Sequence, residues 1–251
     1  MRPIRKAVLF MRPIFRTMVV ALLAALALSA AVASAAQAET APYFKVGGAR
    51  LAAGESKEVT GGHVISLYFG SGAQAMKCSV AFAPGAKISG SAEQEHGRIE
   101  MVLELSSCTE GNQHCQIEGI VKSKPLRAEL VSAAKGGGDL EAWLRPTTGT
   151  EFMRLKFKEG CGYGKEQIVE GSVVAEIYSG GNPVEGGKEP AEAKTVELVF
   201  PHEAIDEVWL VKEGTGKLQH NTYLSAGIAE IKVVGEVSLA LAGGANWGVF
   251  D

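Results

Sequence analysis

The 251-residue chain lacks the short motifs by which many enzymes and cofactor-binding proteins are recognised. It contains no GxGxxG nucleotide loop, no GxSxG nucleophile turn and no EF-hand calcium loop. Aromatic residues make up only 7% of the chain, and they form no cluster with polar residues. We therefore assign no catalytic, metal-binding or cofactor-binding residue from the sequence, and we expect no cofactor.

Two partial motifs are present, and the residues around them argue against both. His202 begins an HExxH-like segment, but Asp206 stands where the second zinc-binding histidine belongs. Ser132 and Lys135 match the SxxK pattern of penicillin-recognising enzymes, in which the two residues share one turn of a helix. Three glycines follow Lys135 directly, and glycine disfavours a helix. A charged loop and a turn explain these two segments better.

The N-terminal segment, residues 1–38, has the features of a Sec-type signal peptide with a helical apolar centre. Its charged residues are all basic, and the uncharged run Met18–Ala33 that follows them is 16 residues long. Small residues then precede a cleavage site after Ala38, with a second candidate after Ala35. We predict that the segment is removed when the chain is exported.

The alternative for the leader is a membrane anchor that is never cleaved. The apolar run is shorter than the ~20 residues that a membrane-spanning helix needs, and it is rich in alanine. Cleavage is therefore the better prediction. The tetrapeptide Met-Arg-Pro-Ile occurs at Met1 and again at Met11, and either methionine could be the start.

The mature chain would be acidic. Five of the 25 Lys and Arg residues lie in the leader, so residues 39–251 carry 20 of them against 28 Asp and Glu, a net charge of about −8. Nucleic acids and anionic membranes bind proteins through basic faces. We therefore expect no nucleic acid and, after cleavage, no membrane among the partners.

Cysteine is scarce, and its even number predicts disulfides in an exported chain. The four residues are Cys78, Cys108, Cys115 and Cys161, for which three pairings are possible. We favour Cys108–Cys115, which would close a hairpin tip, together with Cys78–Cys161, which would close a long loop. Four free buried thiols are the alternative. The 29, 6 and 45 residues between successive cysteines contain no CxxC pair, which argues against zinc.

Alternation of apolar and polar residues with a period of two dominates the chain after the leader. Clear examples are residues 98–105, 153–158, 195–200 and 230–241. Turn-forming glycines separate these runs. The pattern predicts an all-β fold, an antiparallel sandwich or a barrel-like structure with roughly 12–14 short strands.

Segment 179–194 resembles a linker, because it is rich in glycine and proline. It could separate residues 195–251 from the rest of the chain. That C-terminal piece has only 57 residues, however, and would bury a thin core by itself. We therefore predict one β-rich domain, residues 39–251, in which 179–194 is a long surface loop.

Trp143 is the one residue for which we predict a possible ligand contact. It is out of phase with the apolar residues Leu140, Ala142 and Leu144, so its side chain would point away from the core and into solvent. An exposed tryptophan on a sheet has the flat apolar surface and polar edge that suit stacking against a sugar.

Four segments resemble a group of uncharacterised secreted actinobacterial proteins. They are residues 44–57 (FKVGGARLAAGESK), the loop between Cys108 and Cys115, residues 124–126 (KPL) and residues 247–250 (WGVF). The resemblance covers most of the mature chain, and its motifs are structural. Because no activity is assigned in that group, the resemblance implies an exported β-rich protein and says nothing about chemistry.

These observations predict an exported protein of the extracellular space or cell envelope. We expect a non-enzymatic protein that binds a surface polymer such as a glycan, or a partner protein. The alternative is a secreted hydrolase with a carboxylate- or histidine-based site. Two convergent carboxylates in a deep pocket would favour the hydrolase, whereas a shallow groove lined by Trp143 would favour binding.

Overall fold

A computed structural model describes most of the chain that follows the leader. The described residues are 41–69, 75–92, 95–110, 115–133, 138–188, 191–201, 207–212, 215–220, 224–227 and 229–251. The signal peptide, residues 1–38, lies outside them, so its helix and its cleavage stay predictions. The HExxH-like residues 202–206 also lie outside the described residues.

The described part of the chain is built from 20 β-strands. They are β1 (Tyr43–Val46), β2 (Ala49–Arg50), β3 (Ser56–Phe69), β4 (Ala75–Phe82), β5 (Lys87–Ser89), β6 (Arg98–Met101), β7 (Leu103–Glu110), β8 (Val121–Lys122), β9 (Leu126–Ser132), β10 (Leu140–Pro146), β11 (Glu151–Lys156), β12 (Glu166–Gly171), β13 (Val173–Ser179), β14 (Asn182–Pro183), β15 (Thr195–Phe200), β16 (Glu207–Lys212), β17 (Thr215–His220), β18 (Leu224–Ala226), β19 (Ala229–Leu241) and β20 (Trp247–Phe250).

The all-β prediction is confirmed, whereas the predicted strand number was too low. No helix occurs among the described residues, and hence none there is long and apolar enough to span a bilayer. Five strands, β2, β5, β8, β14 and β18, have only two or three residues. Strands this short are held by their neighbours and are too brief to show a period-two pattern, which explains most of the difference from 12–14.

The two longest strands, β3 and β19, form the axis of the fold. They pair antiparallel over most of their length, from Val59 opposite Leu241 to Phe69 opposite Ile231. The second edge of each strand pairs with two different strands. The first residues of β3 pair with β5 and the later ones with β4, while β19 pairs first with β18 and then with β15.

These shared edges close the sheet into a barrel. Eight antiparallel strands form one closed ring in the order β3–β5–β6–β9–β10–β13–β15–β19. The remaining parts of β3 and β19 belong to a second ring. This ring runs through β4, β7, β8, β11, β12 and β18. The bridge between Ser123 and Met153 joins the β8 side to β11. Inward-facing side chains of both rings belong to one continuous apolar core.

Gly235 lies where β19 changes neighbours from β18 to β15. Its φ of +136° is a conformation that residues with a side chain rarely adopt. A Cβ at this position would also lie 2.8 Å from the carbonyl oxygen of Val64 on β3. Glycine is therefore required for β3 and β19 to stay hydrogen-bonded through the change of partner.

A small sheet made of β2, β1 and β20 packs against the eight-stranded ring. Phe44 of β1 and Trp247 of β20 are fully buried, and their ring centres are 5.9 Å apart. The amide of Gly97, just before β6, donates to the carbonyl oxygen of Pro42. The first and last described strands thus join the barrel core together.

The described residues of segment 179–194, which are 179–188 and 191–194, lie along the barrel. Its one large apolar residue, Val184, is buried, and backbone hydrogen bonds join it to Leu140 and Ile177. Ala193 forms a bridge with Trp247. The strands before and after the segment, β13 and β15, are paired neighbours in one sheet.

The four cysteines form two disulfides, but the pairing differs from our prediction. Cys78 is bonded to Cys108, and Cys115 to Cys161, so Cys108–Cys115 and Cys78–Cys161 were wrong. Cys78 is on β4 and Cys108 on the adjacent strand β7, where two residues of β7 bulge opposite Cys78. Cys115 and Cys161 flank the bridge between Ile117 and Phe157. Strand adjacency therefore decides the pairing.

Mass spectrometry of the unreduced protein checks this pairing. Cleavage after Glu110 separates Cys108 from Cys115, so digestion with a glutamate-specific protease should yield linked peptides containing Cys78 with Cys108 and Cys115 with Cys161. Each bond should stabilise the fold by about 4 kcal/mol in the chain-entropy account, given loops of 30 and 46 residues. A peptide linking Cys78 to Cys161 would contradict the structure.

Replacing Gly235 by alanine tests the change of partner in β19. We expect Gly235→Ala to lower the free energy of unfolding by about 2 kcal/mol or more, because the new Cβ meets backbone and the φ is unfavourable. Gly162→Ala is the control, since no heavy atom lies within 4 Å of its added Cβ and its φ is not positive. Urea unfolding measures both, and equal midpoints would refute the requirement.

Candidate functional site

The apolar cavity inside the barrel is too small for a ligand. A cavity of about 30 Å³ lies near the centre, where the two rings meet. Its walls are entirely apolar and include Leu67, Phe82 and Leu144. A space of this size holds roughly one water molecule, and an apolar cavity this small tends to stay dry. This cavity is therefore too small for a ligand larger than a water molecule.

The outer surface of β5, β6, β9 and β10 carries a concentration of arginine. Alternation points the apolar residues of these strands inward and leaves the charged residues outside. Arg98 of β6 is opposite Glu129 of β9, and Arg127 of β9 is opposite Arg145 of β10. We call the three arginines with Glu129 the arginine face.

Glu129 is the centre of the arginine face. Its side chain accepts a hydrogen bond from Arg145, with Nη2 and Oε2 2.8 Å apart, and Arg127 Nη1 lies 3.7 Å from Oε1. Glu129 is only 9% exposed, whereas the side chains of Arg127 and Arg145 are 34% and 39% exposed. The carboxylate is thus held beneath guanidinium groups that reach the surface.

Trp143 lies beside this cluster, and it is buried. Its position on the outer side of β10 agrees with its predicted phase, but only 9% of the residue is exposed. The Arg145 guanidinium lies over its ring, 4.5 Å from the centroid, and Val131 and Val174 pack with it. The expectation of a solvent-facing ring was therefore wrong, and a ligand contact by Trp143 itself stays a prediction.

Three polar atoms around the arginine face are shielded from water and have no hydrogen-bond partner among the residues that the structure describes. They are Nε of Arg98, Nε of Arg127 and Nε1 of Trp143. No ion pair involving Arg98 is found within the described part of the chain. Buried donors without an acceptor are unfavourable, so these groups are poorly satisfied in the free protein.

A group of carboxyl side chains lies further along the same outer surface. Glu141 of β10 is directly opposite Glu176 of β13, and Asp139 precedes β10. Glu141 is only 4% exposed, and its Oε2 has no hydrogen-bond partner. Tyr178 donates a hydrogen bond to Glu176, 3.2 Å away.

Burial and like charge keep Glu141 protonated at neutral pH. Burial raises the pKa of its carboxyl group, and the negative charges of Glu176 and Asp139 raise it further, to about 8. Burial and the same two carboxylates also raise the pKa of Tyr178. A protonated acid beside an ionised one resembles the acid and base of a glycosidase. However, Glu141 is covered, so a substrate cannot reach its proton.

The described residues also contain an open depression of about 510 Å³ beside β3, β15 and β19. His63 pairs there with Glu236 at 3.4 Å, and Val64 is 49% exposed. No serine or second carboxylate among its described lining residues approaches His63. Nor do the described residues contain three or more His, Cys, Asp or Glu side chains arranged to hold a metal ion.

Comparisons with protein-family models, curated proteins and solved structures gave no match. The function therefore has to be inferred from the side chains on the outer surface of the barrel. The sequence prediction named only Trp143 here and missed the arginines, which are ordinary outward residues when each strand is taken alone. The signal that could have found them is the positive charge at outward-facing, alternating positions of these strands. It would have been recognisable only if the order of the strands in the sheet had been known.

The pH dependence of stability tests the environment of Glu141. A folded pKa near 8 against 4.5 in the unfolded chain means that the folded form holds the proton more tightly, so this contribution is complete below pH 4.5 and is lost as pH rises towards 8. Glu141→Gln keeps the neutral shape. We expect the variant to lose less stability than the parent between pH 5 and 8.

Urea unfolding at pH 5, 6.5 and 8 measures this difference. Glu118→Gln, a substitution at an exposed position, is the matched control and should follow the parent. Parallel curves for the parent and Glu141→Gln would show that Glu141 does not hold a proton in the folded state.

Proposed function

We propose that the chain is an exported, non-enzymatic β-barrel protein that binds a surface polymer or a partner protein through its outer face. The observation that carries the proposal is the filled interior: a cavity of about 30 Å³ leaves the surface as the place for recognition. The outer sheet presents an arginine face with incompletely satisfied donors, which is a feature that a ligand can use.

Export is supported by the cysteine chemistry. All the cysteines belong to the described residues, and all of them are in disulfides. Disulfides persist in oxidising surroundings and are rare in the cytosol. Two such bonds are compatible with an extracellular protein, and the basic, apolar leader supplies the route.

A secreted hydrolase is the second candidate, and Glu141 with Glu176 is the observation in its favour. The two residues face each other across β10 and β13, and one of them holds a proton at neutral pH. Catalysis needs that proton within hydrogen-bond reach of a substrate. The burial of Glu141 opposes this, and binding is the better-supported function.

Expression with the native leader tests export and binding together. We expect the protein outside the cell, with its N-terminus after Ala38 or Ala35 by mass spectrometry. Uncut protein recovered from the cell interior would contradict export. The secreted protein is then tested on a glycan array and against envelope polymers, with analysis of each polymer for cleavage.

The proposed function predicts saturable binding with the polymer or protein ligand unchanged. Release of shorter products from a bound polymer, abolished by Glu141→Gln, would establish the hydrolase instead. Failure to bind any polymer or any extracellular protein would overturn the binding function.

A further inference from the structure

The arginine face has more positive charge than its own carboxylates neutralise. Glu100 of β6 lies directly opposite Arg127 and pairs with Lys87 of β5 at 3.1 Å. That leaves three arginines around the single carboxylate of Glu129, a local charge of about +2 in a mature chain whose net charge is about −8. Such an excess on an acidic protein is a local site for negative charge.

Arg98 and Arg127 are the arginines of this face that can donate further hydrogen bonds. Their Nε atoms are shielded from water and have no acceptor among the described residues. Arg127 lies 3.7 Å from Glu129, whereas Arg145 donates a hydrogen bond to it at 2.8 Å. A guanidinium that is incompletely hydrated loses less water when an anion reaches its exposed end, so an ion pair there is stronger than at a fully solvated side chain.

We propose that the arginine face binds a carboxylate-bearing polysaccharide, a polyuronate, through Arg98 and Arg127. Successive carboxylates of the polymer accept hydrogen bonds from these two side chains on the neighbouring strands β6 and β9. Arg145 stays on Glu129 and fixes the border of the site. The inference rests on the proposed function, for which it names the ligand class and the binding residues.

The chemistry of the face favours a carboxylate. The planar fork of arginine matches the two oxygens of a carboxylate. In this structure Arg145 Nη2 donates to one oxygen of Glu129, 2.8 Å away. A uronate group presents the same two oxygens. It can therefore occupy the exposed sides of Arg98 and Arg127 in the way that Glu129 occupies Arg145.

The size of the face favours a slender polymer over a protein. The three strands β6, β9 and β10 together are about 10 Å wide. Successive outward-facing residues along one strand are about 7 Å apart. A protein interface of standard size covers about 800 Å² on each partner and would extend far beyond this patch. An acidic protein of that size would then also meet Glu176, whose carboxylate would repel it.

Binding of alginate, a polyuronate, to the secreted protein tests the site. We expect saturable binding at low ionic strength. Added salt should weaken it, because at 0.1 M salt the attraction between exposed charges is screened beyond ~10 Å. The double variant Arg98→Gln with Arg127→Gln should bind roughly tenfold more weakly or worse, since it removes two charge-assisted contacts. It leaves the Arg145–Glu129 pair in place, so Glu129 is not left uncompensated.

The matched control is Lys122→Gln with Lys124→Gln. These side chains are 63% and 52% exposed and pair with Glu104 and Glu151 on another part of the barrel, so the change in net charge is the same. The control should bind alginate like the parent. A second variant, Arg98→Gln alone, removes a residue with no ion pair in the described chain and keeps the test valid if the double variant misfolds.

Dextran, polyglutamate and polyphosphate complete the experiment. Dextran, which is uncharged, should not bind. If polyglutamate or polyphosphate binds more tightly than alginate, the ligand is an acidic protein or a phosphate polymer. That result would overturn the inference. Alginate binding that Arg98→Gln and the double variant leave unchanged would overturn the assigned site while the binding function stands. Absence of alginate binding together with binding of another polymer would overturn the ligand class alone.

Discussion

The antiparallel ladder between β3 and β19 is the interaction on which the rest of the barrel depends. Each of the two strands has one edge in this ladder and divides its other edge between two partners. Both rings therefore close through the same pair. A local change that shifted the register would move every inward side chain of these strands to the outer surface, so the positions of the core and of the charged face are set together.

The filled interior determines where the charged side chains lie. Small barrels fill their interiors with side chains, and here both rings share one core. Polar residues are consequently left to the outer surface, where antiparallel neighbours bring residues from distant parts of the chain side by side. The arginine face combines β6, β9 and β10 in this way, and the carboxyl group of Glu141 is buried beside it on the same sheet.

Sequence periodicity predicted individual strands well and their neighbours poorly. The alternation at residues 98–105 correctly indicated that Ile99 and Leu105 are buried. The strand order β6–β9–β10 follows from long-range pairing that no local pattern contains. The same is true of the pairing of β4 with β7, which brings Cys78 beside Cys108 and explains why the predicted cysteine partners were wrong. The phase of Trp143 was right, but its exposure was not, because Arg145 lies over the ring and Val174 packs beside it.

The pairing of β1 with β20 bears on the timing of folding. Tyr43 is opposite Phe250, so this contact joins residues about 200 positions apart and cannot form until the C-terminal strand has been synthesised. Contacts of such long sequence separation also form slowly. A polypeptide that crosses a membrane through a narrow channel has to be threaded before it becomes compact. With export as proposed, late pairing of β1 with β20 would leave the small sheet to form on the far side of the membrane.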